Sequence, residues 1–140
     1  MIEGKTPKLF RILLVLYLAG LSYLCLGHFS APPSIAKTFL GIDLDKIAHF
    51  LMFLPFPLLA AGAFGRPARS VPRRILRILG IFLAGCLLAA ATETAQSLTT
   101  WRSADPADFR ADGIGLAVST LLLLILSLGH PDTTEDDHPA

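Results

Sequence analysis

The chain has 140 residues, of which 53% are hydrophobic and only 16% charged, with a formal net charge of +1 and a mean hydropathy of +0.60. This is too apolar for a water-soluble domain of such a length and points to lipid as the solvent. The near-neutral balance argues against a nucleic-acid binder, because tracking phosphates needs a concentrated basic face.

In chain order, Lys5, Lys8 and Arg11 accompany the start of a first apolar segment, residues 9–27. A basic start before an apolar run also opens a secretory signal peptide, but this run outlasts a usual signal core of about 7–15 residues. No Ala-x-Ala site precedes Pro32-Pro33, so the segment is expected to stay in place as an anchor. Three more segments approach the roughly 20 residues that cross a bilayer: 47–64, 75–98 and Pro106–Leu128. Breaks at 28–45, 65–74 and 99–105 are rich in Gly, Pro, Ser and charge, as connections are. The fold expected is all-α, an integral membrane antiparallel bundle of four transmembrane helices forming one domain over residues 1–130. The remainder, 131–140, is an acidic tail expected to be disordered.

Pro55 and Pro57 remove backbone donors from the second segment and predict a kink or local unwinding there. The runs Ala60-Ala61-Gly62-Ala63 and Ala89-Ala90-Ala91 suit close helix approach. Cys25 and Cys86 lie inside apolar runs with no CxxC or Cys/His spacing, so they read as small packing residues. Basic residues are retained on the cytoplasmic side of short loops. Eight of the twelve, Lys5, Lys8, Arg11, Arg66, Arg69, Arg73, Arg74 and Arg77, sit at the N-terminus and around the second loop, which predicts that both termini are cytoplasmic.

That topology brings the start of the second helix, the end of the third and the start of the fourth to one outer face. Asp45 and His49 stand four apart on one helical face, and Glu93 and Gln96 stand three apart. Asp45 also suits the positive end of a helix as a first-turn acid. A carboxylate at Glu93 is costly inside a bilayer and has to face the bundle. Asp105 before Pro106 is a good N-cap, with Asp108 a candidate to complete that cap. Asp112 lies four residues further on the same face as Asp108 and deeper in the membrane. Arg102 has the planar fork that suits carboxylate or phosphate, and Trp101 suits an interfacial anchor.

The pattern Asp45-Lys46-x-x-His49-Phe50, then Glu93-x-x-Gln96, then Arg102, then Asp108 before Gly115 resembles the VanZ-like (teicoplanin-resistance-type) membrane protein family. In that family the last element usually carries Asn where Asp112 stands here. The resemblance implies a multi-pass protein of the bacterial cytoplasmic membrane, linked to the cell envelope and to glycopeptide resistance, without an established reaction.

Two function classes follow. In the first, an envelope lipid or glycan precursor binds at the outer face. Lys46 and Arg102, with Asp45 and Gln96, hold an anionic headgroup, and His49, Glu93, Asp108 and Asp112 form a catalytic set with His49 or Glu93 as general acid or base. In the second, the same residues are an internal network of a structural or partner-binding bundle. A proton-coupled transporter is a third option. His49, Glu93, Asp108 and Asp112 make a mixed nitrogen/oxygen set that a divalent ion accepts, yet no established metal spacing is present, and no metal ligand or cofactor is assigned.

Overall fold

The computed structural model of the chain describes residues 6–28, 38–65, 70–101 and 105–129. Within them 83% of residues are helical, in five helices: α1 Thr6–Leu26, α2 Leu44–Phe53, α3 Phe56–Phe64, α4 Val71–Ser97 and α5 Pro106–Leu128. The tail at 131–140 and the residues Lys5, Pro32, Pro33, Lys37, Arg66, Arg69 and Arg102 lie outside the described residues.

Four helical stretches are long and apolar enough to cross a membrane: Thr6–Leu26, Leu44–Phe64, Val71–Ser97 and Pro106–Leu128. They fit a multi-pass membrane protein. Their polarity is inverted relative to a water-soluble bundle. Leu16, Leu76, Leu87 and Ile125 face outward, while His49, Gln96, Asp108, Asp112 and Ser119 are buried. In lipid the outer surface has to be apolar and polar groups find their partners inside.

The second stretch is broken, as its prolines predict. The helix stops after Phe53, turns through Leu54 and Pro55, and resumes at Phe56. Neither Pro55 nor Pro57 has an N–H to return to the carbonyls of Leu51 and Phe53. The neighbouring Met52 carbonyl accepts from the Tyr17 hydroxyl of α1 at 2.6 Å, the kind of side-chain rescue that lets a broken helix survive in lipid.

The connection before α2 is more ordered than a plain loop. A two-residue antiparallel hairpin pairs β1 Thr38–Phe39 with β2 Ile42–Asp43. Leu40 and Gly41, with φ of 51° and 80°, form the two-residue turn that such hairpins require.

Small residues close the bundle. Ala60, Ala63 and Ala89 join Leu14, Leu21, Cys25, Phe53, Phe56 and Leu116 in the core. A Cβ at Gly85 would collide with Leu116 and one at Gly62 with the Phe10 ring. Cys25 and Cys86 are free thiols. At one end, Arg11 donates to the Ala63 carbonyl at 3.0 Å and Arg74 to the Ser127 carbonyl at 2.5 Å. These arginines answer the unpaired carbonyls and negative dipole ends of α3 and α5.

Candidate functional site

At the other end, the start of α2 and the start of α5 build a polar cluster. Pro106 opens α5 at its first turn, and the Asp105 side chain accepts from the Ala107 N–H at 2.9 Å, the N-cap its sequence predicts. The first turn of α5 is thereby set. It turns Asp108 inward, where it is buried, rather than leaving it as a second cap.

The closest approach in this cluster is permitted by Gly115. A Cβ there would run into the Phe50 carbonyl and the Leu54 N–H, so the backbones of α5 and α2 touch beside the proline break. That contact brings together His49, next to Phe50 on α2, and Asp112, one turn before Gly115 on α5. Oδ1 of Asp112 lies 2.9 Å from Nδ1 of His49, and the two side chains are 0% and 2% exposed. On the other side of the ring, His49 Nε2 is 3.7 Å from Asp108 Oδ2, too far for a hydrogen bond.

Lys46, one turn before His49, bridges three carboxylates: Asp105 at 3.2 Å, Asp43 at 3.4 Å and Asp108 at 3.6 Å. The Ala107 N–H, and after it Lys46, hold the Asp105 carboxyl below the usual carboxylate range. Glu93, on the last turns of α4, accepts the Asp105 N–H through Oε1 at 2.5 Å, tying α4 to the same corner. Asp45 is exposed on the first turn of α2. One ligand atom from each of Asp45, His49 and Asp108 lies within 4.8 Å of the others.

Asp45, Lys46, His49, Glu93, Asp108 and Asp112 are thus drawn together. Gln96 is not directed into this group by its hydrogen bond. It is buried, and its amide donates to the Cys25 carbonyl of α1 at 3.0 Å. The sequence-based role of Arg102 falls outside the described residues. Trp101 is half exposed and packs its ring near His28, with centroids 5.5 Å apart. Several buried polar atoms have no hydrogen-bond partner among the described residues: His49 Nε2, Glu93 Oε2, Asp108 Oδ1 and Asp112 Oδ2. Buried polar atoms are ordinarily paired, and four of those without a partner among the described residues gather in this corner.

Against the cluster runs an apolar groove of about 370 Å³ between α2 and α5, walled by Ile42, Ile47, Phe50, Ala111 and Ile114 and flanked by Lys46 and Arg110. Arg110 has no ion-pair partner among the described residues. Its place was hidden behind the acids. The signal is helical spacing: Ala107, Arg110, Ala111 and Ile114 form a stripe beside Asp108, Asp112 and Gly115.

Compared with known proteins, the chain matches no family model, no curated protein and no solved structure.

Proposed function

We propose that this polar corner and its groove form a site for an anionic envelope lipid or a lipid-linked glycan precursor, in an antiparallel four-span bundle of the bacterial cytoplasmic membrane. The observation that carries the reading is the groove itself. Its walls are apolar, a cation at Arg110 lies on its rim, and the acid–base groups of His49 and Glu93 lie in the adjoining corner, each with a buried atom unpartnered among the described residues. An acyl chain suits the walls, and a phosphate or carboxylate headgroup suits the planar guanidinium.

Lys46 is a weaker headgroup ligand than its sequence position implies, because Asp43, Asp105 and Asp108 surround it. Arg110 takes that role, together with Arg102. His49 and Glu93 are the proton-handling groups, and Asp112 orients the imidazole. With the basic residues of the second loop in the cytoplasm, the site opens on the outer face. The run of Asp45, Lys46, His49, Glu93, Gln96, Asp108 and Gly115 supports placing the chain with VanZ-like proteins, and resistance to teicoplanin-type glycopeptides is then the phenotype to examine.

One observation favours a second reading. Lys46 with its three carboxylates and His49 with Asp112 join α2 to α5, as a purely structural network does. Mass spectrometry of lipid co-purified with the full chain separates the two. A lipid seen with wild type and lost from folded Arg110→Ala and Arg102→Ala supports the headgroup site. No bound lipid in wild type, or equal lipid in these variants, removes it and leaves the structural network.

A further inference from the structure

Among the described residues, Lys46 is paired with Asp43, Asp105 and Asp108, and His49 stands between Asp108 and Asp112, so carboxylates outnumber the cations paired with them. Carboxylates held in a low-dielectric corner need protons or cations to offset them. Lys46 donates to Asp105 at 3.2 Å and stands 3.6 Å from Asp108 Oδ1, which has no hydrogen-bond partner among the described residues.

We infer that Asp45, His49 and Asp108 bind a divalent transition-metal ion of the zinc–manganese class. The first observation is the juxtaposition of the three ligand atoms within 4.8 Å. The second is independent of the acids. His49 is 98% buried, yet its Nε2 has no hydrogen-bond partner among the described residues and faces Asp108 Oδ2 at 3.7 Å. Metal bonds of about 2.0–2.2 Å at tetrahedral angles place two ligand atoms roughly 3.3–3.6 Å apart. The observed separation is therefore long for a hydrogen bond and within a small side-chain adjustment of a shared ion.

Asp112 supplies what a metal-binding imidazole ordinarily has behind it. With Asp112 Oδ1 as acceptor at 2.9 Å, the imidazole carries its proton on Nδ1 and donates it in that bond, which leaves the Nε2 lone pair toward Asp108. One imidazole with two carboxylates is a mixed donor set that suits zinc or manganese better than magnesium or calcium, which favour all-oxygen shells. The exposed Asp45 offers a route in from solvent. A role for the ion in holding a headgroup phosphate rests on the function proposed above, whereas ion binding does not. With Nε2 on an ion, the proton-handling role passes to Glu93.

The test uses the full chain in detergent, with any affinity tag removed and metal stripped by chelator, titrated with Zn²⁺ and with Mn²⁺ by calorimetry. The Mn²⁺ form is then read by pulsed electron paramagnetic resonance for nitrogen coupling. Wild type is expected to bind one ion per chain and to show imidazole coupling. His49→Gln loses both, and Asp112→Asn binds about 10–100-fold more weakly. Asp45→Asn, with its metal-free melting temperature measured alongside, binds at least about tenfold more weakly. Folded wild type that takes up no ion overturns the inference, as does unchanged affinity in Asp45→Asn and Asp108→Asn. Lipid retained by a protein that binds no ion sinks the metal alone. An ion bound by a protein that carries no lipid sinks the lipid reading alone.

Discussion

His49 of α2 and Asp112 of α5 meet through Nδ1 and Oδ1 at 2.9 Å, both side chains sealed from solvent, at a point 63 residues apart in the chain. Each would be an expensive passenger in lipid without the other. Breaking a buried pair by removing one partner costs about 3–5 kcal/mol, because the remaining group is stranded. Asp112→Ala is therefore expected to lower the melting temperature in detergent strongly. Asp112→Asn, whose amide oxygen still accepts from Nδ1, should cost no more than about 1 kcal/mol. Equal melting temperatures for the two variants would show that the pair holds nothing together.

Gly115 sets how near α5 comes to α2. Its missing Cβ is the space in which the Phe50 carbonyl lies, and backbone cannot retreat as a flexible side chain can. Gly115→Ala should destabilise the protein by about 1–3 kcal/mol through overpacking and push Asp112 away from His49. Gly113, two residues earlier on the same helix, has nothing within 4 Å of its would-be Cβ. Gly113→Ala should instead be neutral or stabilising by up to about 1 kcal/mol, the helix-propensity gain. Thermal melts of the two variants, side by side, check the claim. A harmless Gly115→Ala would contradict the close helix contact.

Function and scaffold make opposite demands on His49 and Glu93. Gln in place of either keeps a group that serves the existing bond: a donor toward Asp112 at position 49, an acceptor for the Asp105 N–H at position 93. His49→Gln and Glu93→Gln are thus expected to stay within about 1 kcal/mol of wild-type stability while losing complementation of an envelope phenotype in a deletion strain. Cys86→Ala serves as the packing control. Variants that unfold point to a scaffold, and folded variants that complement fully remove the proposed site.

Orientation is tested by reporter fusions. Fusions within 66–74 should be active only as cytoplasmic reporters and fusions near Ser34 only as periplasmic ones, following the retention of basic residues inside. The reverse pattern would turn the polar corner toward the cytoplasm and end the outer-face reading.

What the sequence determined by itself depends on near neighbours along the chain, although the local hairpin at 38–43 was not among it. Four apolar stretches were legible because spanning lipid takes a fixed length of apolar helix. The break at Pro55 and Pro57 was legible because a missing N–H is a property of the residue. The cap at Asp105-Pro106 was legible because its donor lies two residues away. Helical spacing also placed Asp45 with His49, and Asp108 with Asp112, on shared faces. Spacing does not say which neighbour a face meets. Only the packed bundle decided that Gln96 reaches Cys25 of α1, that Lys46 answers three carboxylates rather than standing open to an anion, and that Arg110 flanks the groove. The physical reason is rotational: each helix can turn about its axis with its own hydrogen bonds intact. Its azimuth is settled only by contacts such as Gly115 against Phe50, between residues far apart in sequence.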